Sequence, residues 1–109
     1  MEILFSNRKL GDVCASDRQM RATYGLVRAR KVQQRLAQLR AAETLEDLRV
    51  LAPGHCHQLT QDRRGHLALD LDSPYRLIFK PTEWLENSSG GLDWQAVQSV
   101  VVTEITDYH

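Results

Sequence analysis

Two histidines lie one residue apart in this sequence, and two arginines follow them closely. His55 and His57 precede a polar turn at residues 61–65 that contains Arg63 and Arg64. Because side chains alternate along a strand, His55 and His57 point to the same face if this segment is extended. An imidazole gains or loses a proton near neutral pH, and a guanidinium holds a phosphate through paired hydrogen bonds. The grouping therefore indicates acid–base chemistry on a phosphate ester.

Such residues can move protons and hold a phosphate. Metal-free cleavage of RNA, the reaction implied by the family resemblance described at the end of this section, needs a base for the 2′-hydroxyl proton, an acid for the leaving oxygen and cations for the charge of the phosphorane. His57 and His109 are the candidate acid and base, and Arg76 is the candidate phosphate clamp. Asp107 could orient a histidine, and Tyr108 could stack on a base or donate a hydrogen bond.

Plainer roles remain open for the same side chains. A histidine in a strand is more often structural than catalytic, and a terminal residue such as His109 is often frayed. His55 and His57 could instead bind a metal with His66 opposite them, although zinc usually needs a third or fourth ligand at a fixed spacing. Cys56 points the other way on an ideal strand and is expected to be a small core residue. We therefore predict no metal and no cofactor.

These residues lie in a predicted run of three strands joined by turns. The alternation of residues 66–72 directs three leucines to a core and leaves the other face to water. The leucines are Leu67, Leu69 and Leu71, and the residues on the other face are His66, Ala68, Asp70 and Asp72. Residues 75–79 form a short apolar strand, and residues 99–105, rich in Val, Ile and Thr, form the clearest strand of the chain.

The first half of the chain is predicted to be mainly helical after a short strand at residues 2–5. Residues 8–15 form a short helix, and residues 18–42 have the composition of a long helix in which Gly25 marks a bend or a break. The apolar stripe of this helix is Ala29, Val32, Leu36 and Leu39. Because Arg28, Lys31 and Arg35 flank the stripe, we expect them to face outward and bind a polyanion or an acidic protein partner. The alternative is a solvated helix face.

Length and charge point to one ordinary domain with an uneven charge distribution. The chain has 109 residues, of which 42% are hydrophobic and 26% charged, and we treat residues 1–109 as one domain. Residues 1–50 carry a net charge of +4 and residues 51–109 a net charge of −4.

Two cysteines are too few for a disulfide framework, and no signal peptide or membrane span is visible, so a reduced cytoplasmic protein is expected. A strand followed by helices must pair with later strands, which predicts an α+β domain with one sheet.

The ordered set of motifs resembles the RelE/ParE superfamily of bacterial toxins, in particular its HigB-like branch. The matching segments are residues 1–14, the helical run, and residues 53–59, 62–65, 69–79, 93–94 and 104–109. The resemblance implies a RelE-like fold, in which two N-terminal helices pack on one face of a small twisted, mainly antiparallel sheet. It also implies a metal-independent mRNA endoribonuclease that acts on the ribosome. A helix-turn-helix antitoxin, similar to HigA, would neutralise it and provide its only link to DNA.

The resemblance also implies working residues. The catalytic positions are His57, Asp107, Tyr108 and His109, and the phosphate-binding candidates are Arg63, Arg64 and Arg76 besides the helical cations. The family has a lysine three residues after the strand histidine, and this chain has Thr60 there. A threonine hydroxyl cannot stabilise developing negative charge as an ammonium does, so Arg63, Arg64, Arg76 or Lys80 would have to compensate. The alternative is a toxin-like module without catalysis that docks an antitoxin or another protein.

Overall fold

The computed structural model describes residues 1–107, in which four helices pack against an open sheet of five strands. The elements are β1 (Glu2–Phe5), α1 (Arg8–Cys14), α2 (Asp17–Tyr24), α3 (Leu26–Ala41), α4 (Leu45–Leu51), β2 (Cys56–Gln58), β3 (Leu67–Asp70), β4 (Tyr75–Pro81) and β5 (Ser99–Asp107), with a 3₁₀ turn at Gln61–Arg63. The predicted α+β class is confirmed. Within residues 1–107, no helix has the length and apolar character that a bilayer span requires.

The sheet is mixed but mainly antiparallel. Its strand order is β1-β5-β4-β3-β2, with β1 parallel to β5 and the other neighbours antiparallel. The strands β2, β3 and β4 form the predicted run of three. A bulge interrupts the β4–β5 pairing, where Ile78 lies opposite Glu104 and Phe79 opposite Val102, so that Thr103 is the extra residue.

Side-chain caps fix where three of the helices begin. The side chains of Asn7, Ser16 and Thr44 each accept the backbone N–H three residues ahead, which otherwise has no partner in a helix. Gly25 takes a φ of 80°, which glycine adopts at little cost, and separates α2 from α3. The expectation of two N-terminal helices is therefore corrected. The predicted long helix is broken at Gly25, and the cap at Thr44 starts a fourth helix.

The helices cover one face of the sheet, as expected. The predicted stripe of α3 is buried together with apolar side chains that alternate along the central strands. From the sheet this core includes Leu67, Leu69, Leu77, Phe79, Val100 and Val102. The free energy that holds the domain together comes mainly from this apolar contact, because burial stabilises each large side chain by about 1.5–3 kcal/mol.

The opposite face of the sheet is partly covered by a loop, contrary to the expectation that it meets water. Ala68 and Ile78 are fully buried there and form a second apolar cluster with Leu59. Arg63, in the loop that joins β2 to β3, forms an ion pair with Glu104 on β5. Since β4 lies between β3 and β5, Arg63 must extend over β4 to make this contact.

Arg35 is the main correction to the predicted outward-facing cations. Its residue is only 4% exposed, and its Nε donates to the backbone carbonyl of Asp70 at 2.7 Å. Its Nη1 donates to Oε1 of Gln38 at 3.0 Å, and Gln38 donates in turn to the carbonyl of Leu51 at 3.2 Å. Arg35 therefore points into the domain because it satisfies a buried carbonyl at the end of β3, and it cannot belong to an exposed binding surface.

Arg35→Met should lower the free energy of unfolding by about 1–3 kcal/mol, because it leaves the carbonyl of Asp70 and the side chain of Gln38 without this donor. Urea denaturation at neutral pH measures the change. Arg30→Met is the matched control, since Arg30 is exposed on the same helix, and its effect should stay within about 0.5 kcal/mol. Equal effects of the two substitutions would contradict this account of Arg35.

Candidate functional site

One carboxylate, that of Asp70, connects two histidines and an arginine on the helix-free face of the sheet. Its Oδ2 lies 2.9 Å from Nε2 of His57 and 3.3 Å from Nδ1 of His55. Its Oδ1 lies 3.2 Å from Nε of Arg76. We call these four residues the Asp70 cluster. It confirms the prediction that the side chains of His55 and His57 point to the same side.

Strand register explains why these side chains converge. Asp70 lies opposite Arg76 in the β3–β4 pair, and His57 lies opposite Ala68, two residues before Asp70. Directly paired residues and residues two apart share a face, so His57, Asp70 and Arg76 must project together. His55 follows by the same alternation, and its carbonyl accepts the N–H of Asp70 at 3.0 Å.

The surroundings of Asp70 favour its ionised form. Partial burial alone would raise the pKa of this carboxyl, but the hydrogen bonds from His57 and His55, with the charges of His57 and Arg76, lower it overall. Beneath it, burial lowers the pKa of Arg35, while the charge of Asp70 opposes that effect. The hydrogen bonds from the two histidines and the charges of His57 and Arg76 therefore keep the carboxylate charged.

A cleft of about 470 Å³ opens beside the Asp70 cluster at the turn between β3 and β4. Its lining includes His55, Asp70 and Arg76 of the Asp70 cluster together with Leu71, Ser73, Pro74 and Tyr75. The volume lies within the range of small-ligand sites. Three members of the Asp70 cluster thus line the cleft together with apolar side chains, whereas His57 lies beside Asp70 but outside the lining.

The other predicted phosphate-binding residues are dispersed. Arg63 is paired with Glu104, and Arg64 is exposed in the same loop. Arg28 forms an ion pair with Asp72 on the helix-covered side, with Nη2–Oδ2 at 3.1 Å. The remaining helical cation, Lys31, is half-buried on α3. The structure therefore brings only Arg76 of the predicted cations to the candidate histidine.

The catalytic positions implied at the C-terminus are only partly described. Asp107 is exposed and lies opposite Tyr75 in the β4–β5 register, so β5 reaches the end of the sheet where the cleft opens. Tyr108 and His109 lie outside the described residues. Thr60, at the position where the family has a lysine, is exposed at the start of the 3₁₀ turn.

Two residues of the Asp70 cluster, Asp70 and His55, were not among the predicted catalytic or phosphate-binding residues. Asp70 was expected only to face water, and His55 was grouped with His57 and weighed as a metal ligand without being given a catalytic role. The signal for Asp70 was the alternation of its strand, which put it on the polar face. Finding its partners required the register between β2, β3 and β4, which one sequence does not provide.

The described residues offer no metal centre. Among residues 1–107, no group of three or more histidine, cysteine or acidic side chains is arranged to hold a metal ion. Cys56 packs against the main core instead, as expected, and burial raises the pKa of its thiol to about 12. This thiol is therefore neither a nucleophile nor a ligand at neutral pH.

No protein-family model, curated protein or solved structure matches this chain. Its function is therefore inferred from the geometry of the site and from the sequence motifs.

Acid should remove the stabilisation that the Asp70 carboxylate provides. Because the pKa of Asp70 is lower in the folded than in the unfolded state, this stabilisation is complete above the unfolded value of about 3.9 and is lost as the pH falls through the folded value. Asp70→Asn should therefore be less stable than the wild type at about pH 6, and the gap should narrow as the pH falls below the unfolded pKa of about 3.9. Urea denaturation across this range measures it.

Asp12→Asn is the control, because Asp12 is exposed and its ion pair with Arg8 is long, with Nε–Oδ2 at 4.0 Å. It should follow the wild-type curve. A gap between wild type and Asp70→Asn that stays constant from about pH 6 to about pH 2.5 would contradict the role given to this carboxylate.

Proposed function

We propose that this protein is the toxin of a bacterial toxin–antitoxin pair and that it cleaves mRNA without a metal. The observation that carries the proposal is the Asp70 cluster, in which one carboxylate holds two imidazoles and a guanidinium beside an open cleft. Metal-free cleavage of a phosphodiester needs a base, an acid and a cation, and these three groups supply all of them.

The hydrogen bonds to Asp70 suggest which ring nitrogen works in each histidine. His57 binds Asp70 through Nε2, so its Nδ1 is the nitrogen that takes the 2′-hydroxyl proton. His55 binds Asp70 through Nδ1, so its Nε2 can donate a proton to the leaving oxygen. A carboxylate that holds an imidazole fixes both its orientation and its tautomer. His109 is the alternative acid that the family resemblance implies.

Arg76 is the proposed phosphate clamp. A guanidinium carries several N–H donors and a permanent charge, so Arg76 can hold Asp70 and a phosphate oxygen at once. The charge stabilises the phosphorane, in which negative charge develops on the equatorial oxygens. The toxins that this chain resembles use an additional lysine to stabilise this charge. Because this chain has Thr60 at that position, Arg76 performs the role instead.

The proposed partners follow from the resemblance, with support from the charge distribution. Arg64 and Lys31 are the cations of the predicted RNA-binding set that remain candidates for contacts with mRNA or the ribosome, while Arg35 is excluded by its burial. A helix-turn-helix antitoxin would neutralise the protein in the cytoplasm. The order of one strand, helices and then antiparallel strands supports a RelE-like fold.

His57→Ala should abolish toxicity, because it removes the general base. Loss of such a group typically slows a reaction by about 10²- to 10⁴-fold. The measurement is growth after induction in a bacterial host, with the ends of cellular RNA mapped in parallel.

The matched control is His66→Ala, which removes a histidine outside the Asp70 cluster and should leave the cleavage pattern intact. Unfolding curves of both variants separate loss of chemistry from loss of fold. The proposal is overturned if the wild type arrests no growth and cuts no RNA, with or without ribosomes.

Thr60 favours a second candidate function, that of a toxin-like module which binds an antitoxin or another protein without cleaving RNA. The threonine replaces the lysine of the family, and Arg63 in the same loop is engaged with Glu104. Loss of the lysine's positive charge would leave the fold and its docking surfaces intact while removing catalysis.

Thr60→Lys discriminates between the two functions. Thr60 is exposed, so the lysine should fit without strain. If the wild type is inactive and this variant cuts RNA, the natural protein is the non-catalytic form. If the wild type already cleaves RNA and loses that activity on deletion of His109, the binding-only function is wrong. RNA-end mapping in the same host reads out both results.

A further inference from the structure

The ring of Tyr75 is held by a cation on one of its faces. The guanidinium carbon of Arg28 lies 3.4 Å from the ring centroid, which is direct stacking contact. Arg28 is itself fixed by Asp72, with Nε–Oδ1 at 3.2 Å and Nη2–Oδ2 at 3.1 Å. This two-point pairing allows the guanidinium little rotation. Arg28 therefore supports the ring and is not available as an independent phosphate-binding residue.

The backbone of Tyr75 is fixed as well. Its N–H donates to the carbonyl of Asp72 at 2.8 Å, and its carbonyl accepts the N–H of Leu71 at 3.0 Å. Both the main chain and the ring are thus positioned before any ligand binds. A rigid aromatic surface loses little conformational entropy on binding, which is the condition for an effective contact site.

Tyr75 lines the same cleft as His55, Asp70 and Arg76 of the Asp70 cluster. The lining has an apolar part, with Leu71, Pro74 and Tyr75, and a polar part, with His55, Asp70 and Arg76. Because Tyr75 and Arg76 are adjacent in β4, their side chains reach the cleft from opposite faces of the sheet. A ligand that fills this cleft needs a flat apolar group and an anionic group close together. A nucleotide has both, as a base and a phosphate.

We propose that Tyr75 is a stacking platform for the nucleobase of the nucleotide whose phosphate is held at Arg76. This inference rests on the proposed function and names the part of the RNA that the apolar part of the cleft lining binds. The base would lie on Tyr75, with Arg28 supporting the ring from behind. Stacking tolerates any base, so the platform positions the nucleotide for cleavage without selecting a sequence.

Binding of adenosine 5′-monophosphate and ribose 5-phosphate tests the platform, because these probes share a phosphate and a ribose and differ only in the base. Calorimetric titration of the whole protein should give about tenfold tighter binding of the adenosine compound. Tyr75→Leu should abolish this difference and leave the binding of ribose 5-phosphate unchanged. Tyr75→Phe, which keeps the aromatic ring, should retain the difference.

Tyr24→Leu is the matched control, since Tyr24 is also half-buried but does not line the cleft, and it should keep the preference for the base. A second measurement needs no variant. In the wild type, nuclear Overhauser contacts between adenine protons and the ring protons of Tyr75 are expected. The platform is wrong if the two probes bind equally, if neither binds saturably, or if the adenine contacts another residue instead.

These outcomes are independent of catalysis. If RNA is cleaved in a His57-dependent manner but the two probes bind equally, the platform fails and the proposed function stands. If adenosine monophosphate binds on Tyr75 but no RNA is cleaved, the proposed function fails and the nucleotide site stands.

Discussion

The carboxylate of Asp70 is the interaction on which the candidate site depends. Three positively charged or ionisable side chains contact its two oxygens, and both backbone polar groups of the same residue are used as well. The carbonyl of His55 accepts the N–H of Asp70, and the buried Arg35 donates to the carbonyl of Asp70. A residue with so many partners cannot move alone, so the positions of the histidines, of Arg76 and of helix α3 are linked at one point.

Helix α3 is aligned with the sheet by two of its cations. Arg28 and Arg35 are seven residues apart, about two helical turns, so they project from the same side of α3. They contact Asp72 and Asp70, which are two residues apart at the end of β3. Part of the charge asymmetry between the halves of the chain is therefore satisfied within the molecule. The basic first half is complementary to the acidic second half, and only the remaining cations can serve a partner.

Local sequence patterns predicted most helices and strands of this fold. Which side chains are buried also depends on contacts between distant segments, which these patterns do not reveal. The break at Gly25, the apolar stripe of α3 and the alternation of β3 could be interpreted from neighbouring residues. The burial of Ala68 could not, because it depends on the loop after β2, which brings Leu59 onto this face and pairs Arg63 with Glu104. Arg35 was misassigned for the same reason. Its position beside an apolar stripe suits either an exposed or a buried cation, and the choice depends on a carbonyl 35 residues away in sequence.

The charge of the Asp70 cluster also bears on which ligand suits it. If both imidazoles are protonated, two imidazolium groups and one guanidinium surround a single carboxylate. The cluster then has an excess of positive charge beside the cleft. An anion with one negative charge, such as a phosphodiester, reduces that excess without adding the repulsion that a second fixed carboxylate would bring. In the proposed reaction His57 acts as the base, and Arg76 is the permanent cation that would hold the phosphate. The proposed roles of both residues therefore depend on their shared contact with Asp70.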